Sequence, residues 1–335
     1  MFFSYDLEGN MIVKVGTFNL NNLFSRFNFQ ANINQVPESD SGGITIAFDE
    51  GQFAVRAFMG RLIKEKDADD TAEIARRIVH VMGVDVLAVQ EVEHIEILKR
   101  FNQEHLNGLY PHIALVEGND QRLIDVGVLS KLPIGKIVSH QTAVHPEDPH
   151  TRVFGRDLLQ VEILDSNRNK LFTLYNTHLK SHYVPFGQDP VQGAINANNR
   201  RRRQAEMVSE IISKMERPNS RFVLVGDMND PPDSQHLSAM LSVDNQPLIN
   251  TLSSPSETRP AKTETPGQGE GPQTKAWTHR YNPPGADPPE YKLFDHIWVS
   301  QALDGRFSEP MIDRRTKHGG DGSDHDPAWI KLDLS

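Results

Sequence analysis

FVLVGDMN, residues Phe222 to Asn229, is a run of four apolar residues that stops at a glycine and is followed by Asp227 and Asn229. The run Phe222–Val225 reads as a buried strand, and the two polar side chains stand just past its end. One carboxylate at a strand end is an ordinary turn residue. The same arrangement recurs along the chain, however. Asn19 follows Val13–Phe18, Gln90 and Glu91 follow Val84–Val89, and Asn176 and His178 follow Leu171–Tyr175. Three further runs carry their polar groups at the start: Asp125 before Val126–Leu129, Asp295 inside Phe294–Val299, and Asp324 with His325 ahead of Ala328–Leu334. If these three strands run antiparallel to the first four, all seven positions converge on one edge.

Leu158–Ile163 completes the set of strand-like runs. Helical patterns lie between them. Thr71–Met82 puts Ile74, Ala75, Ile78, Val79 and Met82 on one face, with Asp69 and Asp70 at its start and Gly83 at its stop. Ala205, Val208, Ile211, Ile212 and Met215 mark a second helix, closed by Pro218. Many strands with few helices fit two packed sheets covered by helices, because an all-parallel sheet needs a crossover between every strand pair. The expectation is one domain over residues 1–335, with insertions or long loops at about 30–66 and 253–290. Solvent-exposed connection is the plainer reading of both; for the second, Trp277, Tyr281 and Tyr291 would suit a lip facing substrate.

Composition narrows the chemistry. The 335 residues contain no cysteine, which removes disulfides, thiolate nucleophiles and Cys-based zinc sites together. A formal net charge of -10 argues against coating nucleic acid by broad phosphate neutralisation, but not against a small acidic metal site. No run approaches the roughly 20 apolar residues of a spanning helix. Nothing in Met1–Lys14 resembles a secretory signal, so the expected compartment is the cytoplasm, although a mature exported chain would look the same. Grouped carboxylates repel unless a cation neutralises them, and an oxygen- and imidazole-rich set suits Mg²⁺ or Mn²⁺, with Ca²⁺ as a further candidate.

The segments Gly16-Thr17-Phe18-Asn19, Val89-Gln90-Glu91, Asn176-Thr177-His178-Leu179, Gly226-Asp227-Met228-Asn229, Phe294-Asp295-His296-Ile297 and Ser323-Asp324-His325-Asp326-Pro327 resemble the successive motifs of the endonuclease/exonuclease/phosphatase superfamily. The resemblance implies a DNase I-like α/β fold, a four-layer sandwich of two mixed, mainly antiparallel β-sheets flanked by helices. It also implies roles. Glu91, with Asn19, is similar to the principal metal ligands, and Asp324 to a further ligand or orienting group. Asp227 and Asn229 resemble the pair that positions the attacking water and holds the scissile phosphate. His325 resembles the essential histidine, with Asp295 as its carboxylate partner, and His178 the second histidine of the DNase I-like branch.

Such an assembly suits phosphodiester hydrolysis, which needs cationic charge on the non-bridging oxygens, an oriented water and help for the leaving alkoxide. Asp125 is a candidate partner for His178. Arg156 is a candidate phosphate clamp, with a salt bridge to Asp157 or a neighbour as the plainer alternative. The run Arg200–Arg203 lies at the start of the second predicted helix, where cations oppose the helix dipole; Arg201 falls in line with Ala205, Val208 and Ile212 and so points inward. A solvated face or a patch tracking a nucleic-acid backbone would both account for the rest of the run. Motif style is closest to bacterial nuclease-type members, so the expected substrate is nucleic acid, DNA before RNA, with no stable protein partner. A lipid or small-molecule phosphodiesterase is the alternative; it would dock through an apolar hairpin, for which Ile44–Ile63 with Phe48, Phe53 and Phe58 is the candidate. A non-catalytic binding module is the alternative of another class, and the filling of every expected catalytic position argues against it.

Overall fold

The computed structural model describes residues 11–24, 66–184, 187–264, 271–283, 287–318 and 320–335, and the backbone of five short strands, Ser4–Tyr5, Thr45–Phe48, Gly51–Ala54, Ala57–Phe58 and Arg61–Leu62. The side chains of Phe48, Phe53 and Phe58, and with them the proposed docking hairpin, lie outside the described residues, as does most of the 30–66 segment.

In chain order the principal elements are β1 (Met11–Leu23), α1 (Ala68–Arg76), β2 (Val86–Val92), α2 (Ile95–His105), β3 (His112–Leu115), β4 (Asp125–Ser130), β5 (Ile134–Ser139), β6 (Leu158–Leu164) and β7 (Lys170–His178). They continue with α3 (Pro190–Met215), β8 (Phe222–Asp227), β9 (Ile249–Asn250), β10 (Ser256–Glu257), β11 (Asp295–Val299), β12 (Phe307–Ile312) and β13 (Ala328–Asp333). One sheet runs β10-β12-β13-β1-β2-β4-β3, with Ser4–Tyr5 paired to β1; the other runs β5-β6-β7-β8-β11-β9. Each is mixed in the same way. A central parallel pair, β1/β2 or β7/β8, is flanked by antiparallel neighbours. Parallel strands need a crossover, and α1 and α3 lie in the two connections.

Period-two alternation decides which side chains meet. Val13, Val15, Val86, Ala88, Val126 and Val128 of the first sheet pack on Leu159, Val161, Leu174, Val223, Val225, Ile297 and Val299 of the second. The alternate residues face outward but are not exposed. Phe18, Leu20, Leu87 and Val89 pack against Ile74 and Ile78 of the α1 region and Leu98 and Phe101 of α2, and Tyr175, Leu224 and Trp298 pack against Ala205, Val208 and Ile212 of α3. The layers are therefore helix, sheet, sheet, helix, the expected sandwich. Burial on both faces is why these strands read as unbroken apolar runs.

Local corrections are informative. α1 begins at Ala68, earlier than its apolar face suggests, because the Asp67 side chain accepts from the Asp69 amide. Residues Arg77–Met82 then wind as a π-helix that Gly83 ends with a φ of 56°. α3 begins at Pro190 behind the cap Asp189, so Arg200–Arg203 lie in mid-helix and not against the positive end of a dipole. Its first turns carry no buried stripe, with Val191 and Ile195 exposed, which hid them from a periodicity reading. The 253–290 segment contributes β10, and its strand His279–Tyr281 pairs with Glu290–Lys292.

Candidate active site

Strand direction assembles the site. β4, β11 and β13 run antiparallel to β2, β8 and β1 respectively, so the strands that begin with polar groups present them beside the strands that end with them. In the second sheet His178, Asp227 and Asp295 lie side by side in register. In the first, Asn19 is in register with Gln90, and Asp125 with Val92. The backbone turns sharply where the strands stop: Asn21, Asn22, Glu91 and Asn229 have φ of 46°, 62°, 60° and 53°. Non-glycine residues seldom adopt this region, and its cost is accepted most often where a side chain must be aimed.

Asp227 is the hub. Its Oδ2 accepts from Asn19 Nδ2 at 3.0 Å, which joins the two sheets. The same oxygen lies 3.3 Å from His178 Nε2 and 3.8 Å from His325 Nε2. Its Oδ1 accepts from the Asn229 amide, while Asn229 Nδ2 donates to the Leu179 carbonyl. His325 Nδ1 donates to Asp295 Oδ2 at 2.7 Å, which fixes the ring with Nε2 towards Asp227. Ser323 anchors the loop by donating from Oγ to the Asn19 carbonyl and accepting the His325 amide.

Burial and charge set opposite tendencies for the two histidines. Burial opposes a charge on His325, but Asp295 and Asp227 outweigh it and hold the ring well above the usual histidine range. Burial, reinforced by Arg156 and Arg122, keeps His178 well below that range. Asp227 is raised to about 7, chiefly by burial, with Asp295 adding to the rise and His325 opposing it.

The remaining predicted residues are placed as follows. Glu91 Oε2 accepts from the Asn22 amide, and its Oε1 lies 3.3 Å from Arg122 Nη2. Asp324 lies half exposed, 3.9 Å from His279 Nε2. Both act on the buried Lys66 ammonium, which donates to the Asn21 carbonyl. Arg156 is buried, with Nε 3.0 Å from Asp120 Oδ2 and Nη1 donating to the Leu179 carbonyl. Its ion-pair partner is thus Asp120; Asp157 accepts from the His140 amide.

Asp125 does not partner His178. It accepts from the Gly118 amide at 2.7 Å, and burial raises it to about 7. The two residues belong to different sheets, and His178 Nδ1 is buried with no hydrogen-bond partner among the described residues. Gln90 and Asn176 are likewise used inside the sandwich. Gln90 Nε2 donates to Asn176 Oδ1, whose Nδ2 donates to the Val89 and Gly127 carbonyls. One neighbour went unread in the sequence, His279. It stacks on Phe294 at 5.1 Å, lies 4.9 Å from the His325 ring and forms a β-bridge with it. It sits in a Pro- and Gly-rich stretch, with no apolar strand to frame it.

A divalent cation suits these donors. Asp227, Asp295 and His325 bring ligand atoms within 4.8 Å of one another, as do His279, Asp324 and His325. Asp295 Oδ1 is buried with no hydrogen-bond partner among the described residues. The first group, two carboxylates and one imidazole, is a mainly oxygen donor set of the kind that holds Mg²⁺ or Mn²⁺, whereas the second carries two imidazoles. Among the described residues Glu91 belongs to neither compact group, while the Asn19 amide adjoins the first through Asp227.

Comparison with known proteins adds the following. Residues 16–325 match the sequence model of the Endonuclease/Exonuclease/phosphatase family. No curated protein sequence matches. Among solved structures, an AP endonuclease from Archaeoglobus fulgidus is similar at a TM-score of 0.56 and 14% identity over 96% of this chain and 100% of that one. Truncated TDP2 from Caenorhabditis elegans gives 0.53 and 16% over 96% and 97%. The mannosyl-6-phosphatase Bt3783 of Bacteroides thetaiotaomicron gives 0.50 and 15% over 95% and 98%. At such identities the likeness is one of fold.

Proposed function

The chain belongs to the endonuclease/exonuclease/phosphatase family, whose members are metal-dependent phosphoester hydrolases, and on that premise we propose that it hydrolyses phosphodiester bonds in nucleic acid, DNA before RNA. One observation carries the reading. Two histidines of opposite charge tendency converge on one buried carboxylate, Asp227, at the rim where both sheets end.

In this reading Asp227, raised towards neutrality by burial, accepts the proton of the attacking water. Asn229 and Asn19 hold its carboxylate and the phosphate in place. His325, held charged by Asp295, presents a charge-assisted donor to a phosphoryl oxygen. His178 stands across from it, where a ring nitrogen is available near the departing alkoxide. Arg156 contributes fixed positive charge behind the phosphate. By the family motifs Glu91, Asn19 and Asp324 would hold Mg²⁺ or Mn²⁺, Asp324 being the one of the three that stands in a compact donor group, and the cation when bound would neutralise the non-bridging oxygens. The AP endonuclease among the structural neighbours supports nucleic acid as substrate, as does the Asn176–His178 and Ser323–Pro327 motif style.

The test is hydrolysis of supercoiled plasmid, single-stranded oligonucleotide, RNA, sphingomyelin and bis-p-nitrophenyl phosphate with Mg²⁺, Mn²⁺ or Ca²⁺, and with EDTA. Plasmid or oligonucleotide cleavage that EDTA stops, and that His325→Ala and Asp227→Ala abolish in folded protein, is expected. Release of choline phosphate from sphingomyelin with every nucleic acid intact would overturn the substrate assignment.

A further inference from the structure

The Arg200–Arg203 run is not one patch, because its members point different ways. Arg201 is fully buried and donates to Asp230 and to the Lys180 carbonyl. Arg202 bonds Glu206 and Glu147, and Arg203 bonds Asp148. Arg200 is different. Its side chain makes no hydrogen bond among the described residues, and it sits beside the loop that carries Arg156: a Cβ placed on Gly155 would stand 3.5 Å from Arg200 Nη2 and 3.6 Å from Asp120 Oδ2. Asp120 and Asp148 are the carboxylates whose charge acts on it, and each faces another arginine: Asp120 lies 3.0 Å from Arg156 Nε and Asp148 3.2 Å from Arg203 Nη1.

A second arginine is in the same position. Arg152 donates to the Asn119 side-chain carbonyl and has no carboxylate partner among the described residues. Arg152 and Arg200 line a common cavity of about 200 Å³, together with Arg203, His145 and Asp148. Asp148 is held by Arg203 at 3.2 Å and His145 faces Glu206 at 2.8 Å, and neither Arg152 nor Arg200 forms an ion pair among the described residues. Arg200 is half-buried and Arg152 exposed, and a phosphate in their shared cavity would accept hydrogen bonds from both guanidinium groups in their preferred forked geometry. The surroundings are already rich in cations, since burial together with Arg156, Arg201, Arg200 and Arg122 lowers Lys180 to about 8.

A chain of contacts links Arg200 to the candidate active site. Asn229 and Arg156 donate to the same Leu179 carbonyl, Arg156 pairs with Asp120, and Asp120 and Arg200 flank Gly155. We propose that Arg200 and Arg152 bind a second phosphate of the substrate strand, next to the one being hydrolysed, so that the protein selects a polyphosphodiester over an isolated diester. The subsite deepens the phosphodiesterase reading and rests on it. A net charge of -10 fits such a local device: the chain does not hold nucleic acid by its general field, so capture requires a few dedicated cations.

The experiment compares kcat/KM for oligothymidylate with kcat/KM for bis-p-nitrophenyl phosphate, which has a single phosphate. Arg200→Gln and Arg152→Gln are each expected to lower that ratio about 10-fold and to reduce the salt slope on the oligonucleotide by about 1. Arg200→Lys is expected to restore part of the ratio. If either glutamine variant slows both substrates equally, or leaves the ratio at its wild-type value, the subsite is wrong while the phosphodiesterase reading stands. If wild-type protein cuts neither substrate with any cation, both readings fall.

Discussion

Removing the guanidinium of Arg314, which touches neither Asp227 nor His325, should loosen the loop that carries His325 and so disturb the site. Arg314 is fully buried. Its Nε donates to Glu257 at 2.6 Å, Nη1 to Asp326 at 3.0 Å and the Trp277 carbonyl at 2.6 Å, and Nη2 to the Lys275 carbonyl at 2.5 Å. The guanidinium carbon also lies 3.9 Å over the Trp277 ring. Arg314→Met keeps a linear side chain but leaves two carbonyls and the Glu257 carboxylate without this donor. Truncating one partner of a buried ion pair costs about 3–5 kcal/mol. Asp326 retains Arg315 at 2.9 Å and Arg77 at 3.7 Å, which favours the lower end, about 3 kcal/mol, still a large part of a stability of roughly 5–15 kcal/mol. The effect should reach catalysis, because the Asp326 amide donates to the Thr278 carbonyl and His279 bridges His325. Equilibrium urea unfolding followed by tryptophan fluorescence measures the loss, and kcat/KM on bis-p-nitrophenyl phosphate measures the consequence. A loss below about 1 kcal/mol at unchanged denaturant slope would refute the view that this network fastens the His325 loop.

Asp295→Asn replaces a charge-assisted hydrogen bond to His325 by a neutral one, and kcat on bis-p-nitrophenyl phosphate should fall about 30- to 1,000-fold, or about 2–4 kcal/mol, with the fold kept; a fall under threefold would remove Asp295 from the reaction. His296 is a buried neutral imidazole: Nε2 donates to the Leu293 carbonyl and Nδ1 accepts from Trp298 Nε1. Burial lowers it to about 4, so the unfolded chain takes up its proton first, and stability present above pH 6.5 should drop as pH falls from 6.5 to 4, by about 3 kcal/mol. His296→Gln should flatten that part of the urea-midpoint profile, and an unchanged slope would count against the assignment. Gly226 has a φ of 135°, and a Cβ there would stand 1.9 Å from the Thr177 carbonyl in the adjoining strand, so Gly226→Ala should cost about 3 kcal/mol; a thermal midpoint equal to wild type would contradict this.

The sequence disclosed the strands well because both sheets are covered on both faces, which makes their strands compact apolar runs from Val13–Phe18 to Ala328–Leu334. Elements with weaker burial escaped it. β5 has two exposed side chains and none fully buried; α2 escaped for another reason, since Ile97, Leu98 and Phe101 are buried but its cap is the unusual His94. The gathering of Asn19, His178, Asp227, Asp295 and His325 was legible because strand polarity fixes which ends adjoin. Pairings within the site were less so. Asp125 looked available to His178, but sequence does not say which sheet a strand joins. Helical spacing marked Arg201 as inward, but that Arg200 lies beside the 153–156 loop with no hydrogen bond among the described residues follows only from the path of α3.

The amide pair Gln90 and Asn176 has a bearing beyond its own hydrogen bonds. Apolar contact between the sheets is non-directional, whereas a hydrogen bond requires its donor and acceptor to meet. The Gln90–Asn176 contact closes in one alignment alone, and so works as a vernier between the layers. Asn176→Leu would preserve the hydrophobic volume, yet the span between Asn19 and Asp227, whose residues ride on opposite layers, would lose its calibration. The expected result is slowed turnover together with a stability loss of about 1–3 kcal/mol, because the Val89 and Gly127 carbonyls lose their donor.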